Sequence, residues 1–148
     1  MPLEITADNL LMLAAAAQAT SQTAAVEEVW PLMQQYADYL VANGLDPVLQ
    51  LCSDDYEGPS AHNANLAAKS ILGIGAFARL CNLTGRACAG PYQRVAAAYA
   101  ANWTRLAADG RGAASARNYG LAGSWSLKYN LIWDTVLDLR LFSPATVS

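Results

Sequence analysis

Charge is what this chain has least of. Only 14% of its 148 residues are Asp, Glu, Lys or Arg, while 54% are hydrophobic; an average globular domain carries roughly 25% charged residues. So little polar surface cannot cover the chain on all sides. Some face is therefore expected to be buried against more chain or a second copy, and homo-oligomerisation through apolar faces is the expected partnership. The nine Lys and Arg residues are scattered and the net charge is −3, which argues against a nucleic-acid partner. No apolar run approaches the roughly 18–20 residues of a membrane span. The longest, Leu10 to Ala17, is far too short, so no membrane partner is expected. The start Met1-Pro2-Leu3-Glu4 carries no basic n-region of a signal peptide.

Histidine occurs once, and the three cysteines form no CxxC and have no His at metal spacing. No metal or other cofactor is expected. Patterns of the GxSxG, GxGxxG, P-loop and EF-hand types are absent, and Ser53 and Ser124 stand beside no evident base, so serine-nucleophile chemistry is not expected. Cys81 and Cys88 flank a short loop; they are placed either to bridge the ends of two helices or to remain two half-buried thiols. Asn82-Leu83-Thr84 and Asn102-Trp103-Thr104 fit the N-glycosylation pattern.

What is present is mostly alanine and helical periodicity. Thirty residues are Ala, which favours helix and close helix–helix approach. A first helix is predicted from about Ala7 to Ala19, with Thr6 or Asp8 as N-cap. A second follows Thr23, with Val26, Trp30, Met33, Ala37 and Leu40 as its apolar stripe; Pro31 implies either a later start or a kink, and Asn43-Gly44 a stop. Leu45 to Ala61 reads as a long irregular loop. A third helix, about Ala64 to Cys81, places Gly73 and Gly75 mid-helix, where a close neighbour is the expected reason. Gly90-Pro91 opens a fourth, striped by Tyr92, Val95, Tyr99, Trp103 and Leu106. A second loop spans Asp109 to Gly123, and a last helix about Leu127 to Leu139. No strand alternation appears. The fold class is all-α: about five main helices in hairpins, one domain over residues 1–142, and a flexible tail at 143–148.

The most informative stretch is Leu51-Cys52-Ser53-Asp54-Asp55-Tyr56-Glu57-Gly58, followed by His62-Asn63-Ala64-Asn65-Leu66. Two adjacent carboxylates sit in a long loop, and a His and two Asn follow at the start of an apolar helix. Loops that long are often functional, and polar groups converging at a helix end are where an all-helical scaffold keeps its chemistry.

Seven ordered segments carry a wider likeness: Ala7-Asp8-Asn9-Leu10-Leu11-Met12-Leu13, Trp30-Pro31-Leu32, Tyr36-Ala37-Asp38-Tyr39-Leu40, Asn43-Gly44-Leu45-Asp46-Pro47, Leu51-Cys52-Ser53-Asp54-Asp55-Tyr56, Asn63-Ala64-Asn65-Leu66-Ala67-Ala68-Lys69 and Ser124-Trp125-Ser126-Leu127-Lys128-Tyr129-Asn130-Leu131-Ile132-Trp133-Asp134. Together they resemble the C-terminal region of fungal glutaminase A and its bacterial relatives, across nearly the whole chain. The resemblance implies helical hairpins forming part of an (α/α) toroid, secretion, and hydrolysis of glutamine to glutamate and ammonia. Enzymes of that family are several times longer, with a β-rich N-terminal part, so the chain resembles a fragment or truncated paralogue. The stretch Asp109 to Gly123 departs from the family in its richness in Ala and Gly.

Under that resemblance, Asp54 or Asp55 is the expected general base or substrate anchor, with His62 as a proton shuttle. Asn63 and Asn65 offer paired hydrogen bonds to a primary amide. Lys128 offers a cation to the substrate carboxylate, Trp125 an aromatic wall, and Asp134 a further polar group in that cluster. Each has a plain structural alternative: helix caps for the Asp and Asn residues and His62, solvent for Lys128, packing for the Trp residues. The function expected is a glutaminase A-like amidohydrolase piece acting on a small amide. The alternative is a non-catalytic binding protein, self-associating or binding protein or glycan. A glycan-active enzyme is supported by fold analogy alone.

Overall fold

A computed structural model describes residues 2–53, 58–108 and 115–147. The described residues form an all-α fold: α1 (Pro2–Thr20), α2 (Ala24–Asn43), α3 (Ala64–Leu83) and α4 (Ala89–Leu106), then a 3-10 turn (Tyr129–Leu131), α5 (Ile132–Val136) and the one-turn α6 (Pro144–Val147). They contain no strand, only isolated bridges such as Gln50 to Ser60 and Asn63 to Asn118.

Side-chain contacts fix how the helices run. Glu4 meets Lys69 and Gln18 meets Arg79, so α1 and α3 are parallel. Trp30 stacks near Phe77, while the carbonyl-capping Gly44 lies against Ser70, so α2 is antiparallel to α3. Tyr92 contacts Phe77 and Trp103 bonds the Ala64 carbonyl, so α4 is antiparallel to α3 as well. The result is two hairpins, α1/α2 and α3/α4, with α1 and α3 as the inner pair. Every residue of α3 from Ala64 to Ala78 is buried. By length and composition α3 is long and apolar enough to cross a membrane, but 83% of that window is buried among its neighbours. The predicted stripe of α2 is the buried one. On α4 the stripe residues Tyr92, Val95, Tyr99 and Leu106 are half-buried, whereas Trp103, Ala96 and Ala100 are buried.

Several boundaries differ from the sequence expectation. Helix α1 begins at Pro2, not Ala7, because Leu3, Glu4 and Thr6 are buried and the Leu3 amide donates to Gln50 Oε1 at 3.2 Å, which caps the first turn from a distant loop. Pro31 lies inside α2 rather than at a later start; it has no N–H for the Glu27 carbonyl, and the helix continues through it on the strength of its buried stripe. Thr23 stands at the N-cap of α2 without a side-chain cap bond. Helix α4 begins at Ala89, which places Pro91 within the first turn, where a missing donor costs nothing. The predicted helix Leu127–Leu139 shrinks to the 3-10 turn and α5. Asp134 stops it by accepting the Leu141 amide at 2.9 Å and the Phe142 amide at 3.2 Å, folding the chain back as a strap.

Cys81 and Cys88 form a disulfide across the α3–α4 turn, and Cys52 is buried. Arg86 in that turn pairs with Glu27 and stacks over Trp30, pinning the turn to α2.

The two mid-helix glycines face different neighbours. A Cβ on Gly73 would meet Leu40 Cδ1 at 2.7 Å and the Ala7 backbone at 3.2 Å; one on Gly75 would meet only the ends of Leu141 and Leu139, at 2.9 and 3.1 Å. Overpacking against buried chain costs about 1–3 kcal/mol, whereas a helical Gly→Ala gain is about 1 kcal/mol. Gly73→Ala is therefore expected to lower the urea-unfolding free energy, and Gly75→Ala to leave it within about 1 kcal/mol of the parent; equal effects would refute the packing account.

Candidate functional site

The connections between helices are short at one end of the fold and long at the other. Turns α1–α2 and α3–α4 are short, whereas the segments 44–63 and 107–128 both emerge where α3 begins. At this end lie the His62, Asn63 and Asn65 positions singled out in the sequence.

The first segment doubles back on itself: Gln50 and Ser60 exchange backbone hydrogen bonds at 3.2 and 3.1 Å. Its free arm is tied to the core by a buried charge. Lys69, in the second turn of α3, is 6% exposed, and Glu4 is 3% exposed. The Lys69 ammonium donates to Glu4 at 2.8 Å and approaches Asp8 at 3.1 Å. Glu4 also accepts the Ser53 amide at 2.8 Å and the Ser53 hydroxyl at 2.6 Å. Burial alone would lower the Lys69 pKa; hydrogen bonds and charge from Glu4 and Asp8 outweigh it and hold the group above its ordinary value, so it stays charged. This network orders the residue that immediately precedes the acid pair. Asp54 and Asp55 themselves lie outside the described residues.

At the other end of the same segment, His62 adopts a left-handed backbone conformation with φ of 62°. Its amide donates to the Pro47 carbonyl and its carbonyl accepts from Tyr119. This sets the imidazole against Asp46, Nδ1 to Oδ1 at 2.6 Å, with both side chains more than half exposed. Nε2 makes no hydrogen bond among the described residues. Tyr119 stands beside the pair, its hydroxyl on the Leu45 carbonyl at 3.0 Å. Burial, and then the charge of Asp46, keeps that hydroxyl protonated well above the ordinary tyrosine range.

The second segment is stitched to the first. The Ala64 amide donates to the Arg117 carbonyl at 2.9 Å. Asn118 Nδ2 donates to the Ala61 carbonyl at 2.6 Å, and Asn130 Nδ2 to the Asn65 carbonyl at 3.3 Å. The Trp125 segment thus shares its end of the fold with His62, Asn63 and Asn65.

The remaining candidates are placed as follows. Asn63 is the N-cap of α3: its Oδ1 accepts the Leu66 amide at 2.8 Å, and its Nδ2 lies 3.4 Å from Cys52 Sγ. Asn65 is buried in the first turn of α3. Trp125 is 68% exposed. Lys128 donates to the Thr146 carbonyl at 2.8 Å and so fastens α6. Asp134 is buried, with both carboxylate oxygens on backbone amides of the strap. Sequence reasoning assigned no site role to Asp46, Glu4, Lys69 and Tyr119, and read Asp8 only as a helix cap. A cation inside the apolar first half of α3 was the usable signal for Lys69, since such a charge needs a buried partner.

The fold and the loop-end cluster define an all-α helical-hairpin domain. The chain belongs to the glutaminase A family: it matches that family's six helical-hairpin domain over residues 1–148. It is 33% identical over 144 residues to glutaminase A of Aspergillus oryzae, covering 95% of this chain and 21% of that protein. It is 32% identical over 117 residues to a protein of Arthroderma benhamiae described as "Probable glutaminase", covering 78% of this chain and 14% of that protein. The chain thus spans about a fifth or less of the length of these relatives. No solved structure matches it significantly.

Replacing Lys69 with Met leaves the Glu4 carboxylate buried without its cation, a change that typically costs about 3–5 kcal/mol; Lys69→Met with Glu4→Gln should recover part of the loss. The pH dependence follows from the same pair and from Tyr92, whose pKa is pushed up to about 12 by burial and then by its hydrogen bond to Asp38. Both folded-state values lie above the ordinary ones. Their contributions are therefore complete below about pH 10 and lost as pH rises beyond it. Urea unfolding at stepped alkaline pH should show stability flat up to about pH 10 and falling towards pH 12; a fall centred well below pH 10 would contradict both assignments.

Proposed function

We propose that this chain is the helical part of a glutaminase A-like amidohydrolase, and that its reaction is carried at the long-loop end of the inner helices. The observation that supports this most directly is the His62–Asp46 pair. Asp46 fixes the tautomer that carries its proton on Nδ1, which leaves Nε2 as a base facing solvent. Nε2 takes a proton from water, and the oxygen attacks the side-chain amide carbon of glutamine. The same proton then passes to the departing nitrogen, so that ammonia leaves and glutamate remains. Asp54 and Asp55 belong to this reading as anchors for the substrate ammonium or as a second base, since Ser53 before them is held to the core through Glu4. Trp125 supplies an exposed aromatic wall on the neighbouring segment. Lys128 and Asp134, whose polar atoms are used within the fold, serve here as supports for the strap and α6.

The test is ammonia release from L-glutamine by the 148-residue chain, with circular dichroism to establish that it is folded. His62→Gln and Asp46→Asn should each lower the rate by about 10²-fold or more, the usual contribution of a positioned acid–base group. A folded chain that releases no ammonia rejects catalysis by this chain alone.

A second reading rests on a different observation. Trp125, Leu127, Tyr129, Ile132 and Val136 are 45–68% exposed, in one run of chain. A patch of this kind ordinarily marks a covered face. We infer that further helical hairpins of the same domain, which would extend the two described here towards an (α/α) toroid, pack on it. In their absence the chain should self-associate, and Ile132→Glu should reverse this in light scattering; a strictly monomeric chain at high concentration would remove the argument.

A further inference from the structure

We propose that Asn82, and not Asn102, is a site of N-linked glycosylation. The two asparagines lie in the same kind of triplet, Asn82-Leu83-Thr84 and Asn102-Trp103-Thr104, but the fold treats them differently. Asn82 is exposed at the end of α3, just before the α3–α4 turn, and its side chain makes no hydrogen bond among the described residues. It stands at the rim of a shallow polar hollow of about 150 Å3, lined also by Arg79, Gln93 and Asp138, which leaves room beside it for a bulky hydrophilic group. Asn102 is half-buried in α4, with both ends of its carboxamide in use: Nδ2 donates to the Ala98 carbonyl at 3.2 Å, and Oδ1 accepts from Arg105 at 3.1 Å. The middle residue of its triplet, Trp103, is 2% exposed and bonded to the Ala64 carbonyl. A sugar on Asn102 would have to displace contacts on the face of the helix beside the core.

The disulfide Cys81–Cys88 is the second, independent observation. It closes the turn directly beside Asn82, and such bonds form in the oxidising secretory compartment in which N-glycosylation takes place. The donor is an oligosaccharide linked to a polyprenyl pyrophosphate. A bond forms between Asn82 Nδ2 and the anomeric carbon of the first sugar, the bond from that carbon to the pyrophosphate oxygen breaks, and Nδ2 gives up one proton as the lipid pyrophosphate leaves. In the folded chain the Thr84 hydroxyl donates to the Leu80 carbonyl at 2.8 Å, so the transfer precedes closure of the last turn of α3. The assignment also says that the short-turn end of the hairpins faces solvent, opposite the proposed catalytic end, and it stands whether or not the chain hydrolyses amides.

The chain, expressed behind a secretion leader in yeast, is recovered from both the medium and the microsomes and mapped by peptide mass spectrometry before and after peptide N-glycosidase. The expected result is one glycan, on the peptide that contains Asn82, and a single mobility shift on deglycosylation. Asn82→Gln and Thr84→Ala should abolish that shift, and Asn102→Gln should preserve it. A wild-type chain without glycan in either fraction, or one carrying its glycan on Asn102, overturns the assignment, as does modification of both sites. Because the decisive map is made on the wild-type protein, a variant that fails to be secreted does not affect the outcome.

Discussion

Lys69 projects from a helix that is enclosed for most of its length, so its charge has to be matched from inside the fold. Two carboxylates of α1, Glu4 and Asp8, do this. The consequence spreads in both directions. Matching the charge fixes the register of α1 on α3, because residues 4 and 8 must lie over residue 69. It also fixes the long loop, because the second oxygen of Glu4 holds the Ser53 amide. One buried ammonium therefore sets the position of the first helix, the inner pair and the arm that leads to the acid residues. Purely apolar contacts do not impose this, since two Ala- and Leu-rich helices can slide on one another at small cost.

The asymmetry between the two ends of the hairpins carries the functional argument. Short turns leave little freedom, and at their end the chain is locked by a disulfide and by Arg86 on α2. At the opposite end the backbone is long enough to bring groups far apart in sequence into contact. Asp46 and His62 meet there, as do Asn118 and Ala61, and Asn130 and Asn65. A rigid bundle that gathers loop-borne polar groups on one rim separates scaffold from surface features. The membership of the glutaminase A family fits that division.

Much of this was legible in the residues themselves. The stripe of α2, the stop at Gly44 and the tight packing around Gly73 are consequences of period and side-chain volume, which are local properties. What was not legible depends on distant partners. The first turn of α1 is capped by Gln50, from a loop far along the chain, so no pattern near Pro2 announces it. The helix expected from Leu127 is shortened to Ile132–Val136, and the role of Asp134 within it is visible only once Leu141 and Phe142 fold back onto its carboxylate. The same holds for the site. His62 and Asn63 drew notice by type and place, and Asn63 resolved into the helix cap that composition alone left open. Asp46 drew none, because a lone Asp before a proline has no signature until its histidine is brought beside it.

The enclosure of α3 has a bearing on how the polypeptide is made. A stretch of that length and greasiness, leaving the ribosome alone, would be a target for membrane insertion machinery or for clumping. In this topology it never has to wait alone: the α1/α2 pair is synthesised first and offers a groove for two of its sides. The sides destined for α4 and for the strap around Leu139 and Leu141 stay open until those later segments are made. The order of the elements along the gene thus acts as a built-in chaperone for the most vulnerable one.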